Sequence, residues 1–260
     1  MDSKLPQPPT VAVPRPGGDV TIRQFQPRDA AQVHALLVEG LVYGPESPRN
    51  AALQQNLTRG ISCVSYLGVL LGLSCVWQQD LALRLAGSVL ALGSAALFTY
   101  VRKVTTKLFV DFCAKARETD MADIMHSYEI PVSADAAQGP GGFWVAAIES
   151  PDKKTSEVVG YLGLDYRVDP DPTSGELRRM IVSMNHRRRK IGSLLMTAAI
   201  DHARKHSPPL ITLDLETTEF QPGAQKLYEN QGFQLVEQRT VRNSRLFGMT
   251  VVRMRRKIAE

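Results

Sequence analysis

Leu177-Arg178-Arg179-Met180-Ile181-Val182 leads through Ser183 into Met184-Asn185-His186-Arg187-Arg188-Arg189-Lys190-Ile191-Gly192-Ser193-Leu194-Leu195. The first part predicts a strand over Leu177–Ser183. Ile191, Leu194, Leu195, Ala198, Ala199 and His202 fall on one side of a helix over 191–205. A strand-to-helix turn points several backbone N–H groups and the positive end of the helix dipole at one spot, which makes an anion site. Four consecutive basic side chains, Arg187 to Lys190, strengthen it. Gly192 and Ser193 keep the first turn free of bulk, and Ile191 anchors the opposite face in the core. A basic run of this length also suits a nuclear-localisation signal or a nucleic-acid patch. The strand–turn–helix context favours a pyrophosphate cradle, so nucleic acid is not the expected partner.

The chain around this turn predicts a mixed α/β layer. Val20–Phe25 alternates as a first strand, and Pro27-Arg28-Asp29 opens a helix whose Val33, Leu36, Leu37, Gly40 and Leu41 share a face. Pro45, Pro48 and the Asn and Gln residues of 50–56 predict a loop. A helix is expected over Thr105–Tyr128, then a Gly/Pro/Ala-rich loop over 131–142. Strands follow at Phe143–Glu149 and Val158–Tyr166, before the one at 177. Leu210–Leu215 is a strand, Gly223–Gln231 a helix, and 233–240 with 247–255 two closing strands. Asp169-Pro170-Asp171-Pro172 suits a turn better than a calcium loop.

Composition divides the chain unevenly. Of 260 residues, 43% are hydrophobic and 22% charged, an ordinary globular balance with mean hydropathy −0.15. Yet the 42 residues from Gly60 to Val101 hold only two charges, Asp80 and Arg84, leaving 55 of the 57 for the rest. Within them, Ile61–Trp77 and Leu81–Val101 are apolar runs of 17 and 21 residues, against the roughly 20 helical residues that cross a hydrocarbon core. They predict a helical hairpin anchor, spanning or re-entrant. Arg59, Arg102, Lys103 and Lys107 flank it, while the connector Gln78-Gln79-Asp80 has no Lys or Arg, so both ends are expected in the cytosol with lipid as a partner. That side would leave the sequon Asn56-Leu57-Thr58 unmodified.

The net charge of +5 and pI near 9.2 suit an anionic ligand or membrane face. Three cysteines, two of them in the apolar runs, exclude a disulfide framework or a zinc finger. The Pro-rich residues 1–18 lack an apolar signal core and are expected to form a disordered leader. His202 and His206, at i and i+4, lack a carboxylate at ligand spacing, so no metal site is expected.

The basic turn resembles the R/Q-x-x-G-x-G/A signature of the acetyl-CoA-dependent N-acetyltransferase (GNAT) superfamily. Arg187 and Gly192 fit, and Lys190 stands where the first glycine is usual. Ala224-Gln225-Lys226-Leu227-Tyr228-Glu229-Asn230-Gln231-Gly232-Phe233 resembles the same superfamily's A-x-x-L-Y-x-x-x-G-F helix and turn. Thr119-Asp120-Met121-Ala122-Asp123-Ile124, Ser127-Tyr128, Gly142-Phe143-Trp144-Val145-Ala146 and the hydrophobic insertion look like the camello-type, N-acetyltransferase 8-like branch. The resemblance covers residues 19–60 and 102–256, with 61–101 as the insertion. It implies an acyl-CoA N-acyltransferase fold, a mixed central sheet flanked by helices. It also implies acetyl-CoA as cosubstrate, residence in the endoplasmic reticulum membrane, and acceptors such as small amino acids, cysteine conjugates or lysine side chains.

Such chemistry needs a carboxylate to take the ammonium proton, backbone N–H groups at the carbonyl and an acid for the thiolate. By resemblance, Glu176 is the candidate base and Tyr228 the candidate acid. Met180, Ile181 and Val182 are expected to meet pantetheine. Arg187, Arg188, Arg189, Lys190, Ile191, Gly192 and Ser193 are expected to form the pyrophosphate site. Glu176 also suits a solvated partner of Arg178 or Arg179, and Tyr228 and Trp144 suit the core. Lys190 is expected to keep right-handed helical dihedrals, which would make a lysine tolerable there. Two other functions remain open at this point: an inactive membrane-tethered binding protein, and a basic chromatin-associated acetyltransferase.

Overall fold

The computed structural model describes residues 19–131, 139–149, 156–167, 171–242 and 248–259. The leader at 1–18, most of the loop at 131–142, and Asp169 and Pro170 lie outside the described residues. Seven strands form one sheet in the order β1-β2-β3-β4-β5-β7-β6. They are β1 (Val20–Gln24), β2 (Gly142–Glu149), β3 (Ser156–Asp165), β4 (Ser174–Val182), β5 (Thr212–Thr218), β6 (Gln234–Arg242) and β7 (Gly248–Lys257). Every neighbouring pair is antiparallel except β4 and β5. The parallel pair needs a crossover, and α6 (Ile191–Lys205) supplies it.

Alternation along the strands feeds two apolar layers. Leu162, Leu164, Leu177 and Leu213 face one side, where Leu195, Met196 and Ala199 of α6 and Tyr228 of α7 (Pro222–Asn230) cover them. Phe143, Val145, Tyr161 and Ile181 face the other. There they meet Val33 and Leu37 of α1 (Ala30–Val38) and Phe109 and Cys113 of α4 (Leu81–Glu118). Trp144 is core, edge-on to His202 with ring centroids 5.2 Å apart. Burial holds the His202 ring below the usual imidazole range.

Two expected boundaries are corrected. The loop expected at 45–56 contains a helix, α2 (Pro48–Thr58). Ser47 Oγ accepts from Asn50 N at 3.3 Å as its N-cap. Pro48 takes the first helical position, where its missing N–H costs nothing. The inner face of α2 includes Asn56, whose amide donates to Thr105 Oγ1 at 2.8 Å, so the sequon asparagine is buried. The second correction concerns Leu81–Val101 and the helix expected from 105. They are one 38-residue helix, α4, capped by Asp80 at Ala82 N and Leu83 N. Only a four-residue helix, α5 (Ile124–Ser127), follows.

α3 (Gly60–Val76) turns back along the first half of α4. Small residues permit the close approach: a Cβ on Gly72 would stand 2.5 Å from the Gly87 carbonyl oxygen, and one on Gly87 would stand 2.5 Å from Cys75 Cβ. The outward sides stay apolar and uncovered, with Leu70 66%, Val89 72% and Leu92 71% exposed. α4 is long and apolar enough to cross a membrane. α3 reaches that length only together with the helical segment before it, from which it bends by 55°.

Candidate active site at the split between β4 and β5

β4 pairs with β5 only from Ser174 to Leu177, opposite Thr212 to Leu215. Beyond that, β5 continues against β7 as far as Thr218, and β4 continues against β3 as far as Val182. The two strands part, so among the described residues the edge of β4 turned toward β5 has no strand neighbour from Arg178 to Val182. A cavity of about 300 Å³ occupies this region, lined by Glu176–Ile181, Glu216–Thr218, Gln221 and Tyr228. Leu41, Leu108, Phe109, Phe112 and Met249 add apolar walls. At the same place β4 bulges. Tyr161 opposes Ile181 and Gly163 opposes Arg178, so Leu162 alone faces two residues of β4. The bulge puts Arg179 at φ 58°. Such a left-handed conformation costs a non-glycine residue roughly 1–2 kcal/mol.

Glu176 and Tyr228 therefore line one cavity from different elements. The Glu176 carboxylate lies 3.6 Å from the Arg178 guanidinium, with its side chain 22% exposed. Burial lifts its carboxyl above the usual range, against the pull of Arg178 and with help from Glu216 and Asp165. Tyr228 is 8% exposed, and its hydroxyl has no hydrogen-bond partner among the described residues. Burial pushes that hydroxyl up to about 12, so it stays protonated at neutral pH and able to donate. Met180 and Val182 pack partly against the α6 core layer, and Ile181 faces the opposite layer.

The basic turn lies beyond the end of β4. Lys190 is the N-cap of α6 at φ 59° and ψ 13°, and Arg188 also has a positive φ, 61°. The expectation of right-handed dihedrals at Lys190 is overturned: the position uses the left-handed region that the family's glycine enters freely, and the lysine adopts it under strain. Left-handed residues are the backbone conformation with which a turn can gather successive N–H groups into a concavity. The side chains diverge. Arg187 pairs with Glu46 at 2.7 Å, Arg189 is half-buried with its Nη1 3.0 Å from His186 Nδ1, and Arg188 and Lys190 are exposed. Ile191 is buried. A Cβ on Gly192 would meet Met180 Cε and Leu227 Cδ2 at 2.8 Å, so this glycine serves the packing of α6 on β4 and α7. Ser193 is half-buried one residue on.

Sequence reasoning missed a buried polar cluster behind the bulge. Arg179 does not pair with Glu176; its Nε and Nη2 donate to Asp120 Oδ2 and Oδ1 at 2.8 and 2.7 Å. Tyr128 Oη donates to Asp120 Oδ2 at 2.6 Å. Burial pushes the Asp120 carboxyl up, but the Arg179 and Tyr128 hydrogen bonds and the Arg179 charge outweigh it and leave it at about 2. Asp120 and Tyr128 stand in the runs quoted above, yet nothing in their spacing assigns a partner 59 residues away. Asp214 on β5 was missed likewise. It accepts from Arg255 Nε at 2.6 Å and from Arg253, and these bonds hold its carboxyl low despite burial.

Residues 105–233, from the second half of α4 through α7, match the family model described as Acetyltransferase (GNAT) family. The chain carries a GNAT-family acetyltransferase domain. The GNAT domain accounts for the mixed seven-stranded sheet, and the family's cosubstrate is acetyl-CoA. The chain is 29% identical to N-acetylaspartate synthetase of Danio rerio over 84% of its length and 67% of that protein. It is 29% identical to N-acetyltransferase 8F1 of Rattus norvegicus, over 84% and 87%. Against the probable N-acetyltransferase camello of Xenopus tropicalis it is 28% identical, over 83% and 86%.

Proposed function

We propose that this GNAT domain is held on a membrane and transfers acetyl from acetyl-CoA to a primary amine by direct attack. The carrying observation is that Glu176 and Tyr228 line a single cavity at the split between β4 and β5. Glu176, directly or through water, takes a proton from the acceptor ammonium. The neutral amine then attacks the thioester carbonyl, whose oxygen gains charge beside the unpaired edge of β4. The C–S bond breaks, the attacking nitrogen gives its second proton to solvent, and Tyr228 Oη protonates the departing sulfur; Glu176 then releases its proton to solvent and Tyr228 regains one from it. The sum is amide, free CoA thiol and one proton released. Backbone N–H groups of the turn at 187–193, with its basic side chains, hold the pyrophosphate.

The uncovered apolar sides of α3 and α4 support an anchor over 61–101. An aqueous surface would expose them at a cost of about 25 cal/mol per Å². Arginine and lysine at the hairpin's two outer ends support a cytosolic catalytic domain, and the camello-type resemblance supports the endoplasmic reticulum. The camello-type resemblance and the apolar walls of the cavity support one acceptor class. Leu41, Leu108 and Phe112 favour an amine with an apolar body, such as a cysteine conjugate, over a small amino acid or a lysine side chain.

The test uses full-length detergent-solubilised protein and follows free thiol release from acetyl-CoA with L-aspartate, S-benzyl-L-cysteine, spermidine and a lysine peptide. Thiol release with at least one amine, fastest with S-benzyl-L-cysteine, is expected. No release with any of them, despite bound acetyl-CoA, would favour an inactive binding protein. Extraction from membranes by carbonate would remove the anchor.

A further inference from the structure

We propose that Asp120 is a positioning residue for acetyl transfer: through its ion pair with Arg179 it holds the bulge of β4 in the left-handed conformation that shapes the cavity wall. The proposal rests on the acetyltransferase reading. Arg179 stands at φ 58°, just beyond the last β4–β5 pair, on the stretch of strand that faces the reacting groups. A residue with a Cβ leaves that conformation unless something outside the backbone retains it. Here the retaining element is a two-pronged hydrogen bond between side chains that are only 10% and 11% exposed. The Arg179 guanidinium lies over the Phe112 ring, 5.1 Å from its centroid.

The carboxylate is itself fixed from two directions. Asp120 follows the end of α4, where Thr119 N and Met121 N close on carbonyls of the last turn, and Tyr128 donates to it from the end of α5. The Tyr128 ring packs edge-on to Phe143 of β2. Asp120 thus joins the helix that carries the apolar hairpin to the strand that carries Glu176, without itself lining the cavity.

The experiment compares native full-length protein with Asp120→Asn, Asp120→Asn/Arg179→Gly and Asp120→Asn/Arg179→Ala. It reads kcat and KM with the fastest amine of the panel and the acetyl-CoA dissociation constant by calorimetry, per folded molecule. Asp120→Asn should lower kcat at least about tenfold while changing the acceptor KM by less than about threefold, as for an interaction that matters mainly in the transition state. Glycine enters the left-handed region freely and alanine does not, so the Gly double variant should recover most of the loss and the Ala double variant little. A pair that only stabilised the fold would lower the melting temperature and leave kcat per folded molecule alone. Native-like kcat in Asp120→Asn, or equal rates in the two double variants, overturns the proposal. If Asp120→Asn does not fold, the contrast between the double variants decides alone. Native protein that neither binds nor consumes acetyl-CoA would instead overturn the acetyltransferase reading, and this proposal with it.

Discussion

The Glu176 carboxylate stands 3.6 Å from the Arg178 guanidinium, yet its carboxyl is held above the ordinary glutamate value of 4.5, because burial outweighs the neighbouring charge. That balance suits a base. A carboxylate held low by a tight ion pair, as Asp120 is, accepts protons poorly near neutrality.

The pH profile tests this balance. The active form of Glu176 is the carboxylate, so kcat/KM should fall on the acid side with an ionisation above 4.5, and Glu176→Gln should lose rate and that limb together. The stability sign is opposite. A carboxyl raised on folding stabilises the native state below its unfolded value, and that contribution is lost as pH rises through the folded value. Glu176→Gln should therefore melt no lower than the native protein at pH 7. An unchanged acid limb in the Gln variant assigns the base elsewhere.

Tyr228→Phe keeps the ring and removes one hydroxyl that has no partner to strand among the described residues. Acetyl-CoA should bind with an unaltered dissociation constant, while turnover falls ~10²–10⁴-fold for a lost acid catalyst. Thiol release in single-turnover experiments measures it, and undiminished release would make Tyr228 a core residue only.

Lys190→Gly should stabilise the domain by about 0.5–1 kcal/mol, because a left-handed residue with a Cβ gives way to one without. The backbone N–H groups of the turn remain, so acetyl-CoA affinity should fall only a few-fold at low salt, and the difference should vanish at high salt as a surface charge is screened. Melting curves and dissociation constants at two ionic strengths check both. Much tighter binding by the Gly variant would mean that the lysine obstructs the cradle.

What the sequence discloses here follows the range of each interaction. The β4–turn–α6 unit is legible because its pattern is local: an apolar strand, a basic turn and a helical face follow one another directly along the chain. α2 is hidden by its own cap, since Ser47-Pro48 is equally a loop signal until the buried positions of Ala52, Leu53 and Asn56 are known. Charge at Arg102 and Lys103 ends the apolar run, but peptide hydrogen bonds are indifferent to side-chain charge and α4 continues to Glu118. The strain at Lys190 and the Asp120–Arg179 pair are tertiary: one is imposed by how β4 meets α6, the other by two segments that meet only in the folded sheet.

Topology gives the last test. Arg59 at the start of α3 donates to the Gly248 carbonyl at 3.0 Å, and Arg102, Lys103 and Lys107 mark the level at which α4 leaves its apolar half, so all four belong on the side of the sheet. With no Lys or Arg in the Gln78–Asp80 connector, that side should be cytosolic. Protease added to intact microsomes should remove epitope tags from both termini, and a cysteine placed at Gln79 should react with a membrane-impermeant maleimide only after permeabilisation if the hairpin spans. Labelling at Gln79 in sealed vesicles, with both tags still digested, would make the hairpin re-entrant. Protection of the C-terminal tag would reverse the orientation and place the acceptor in the lumen.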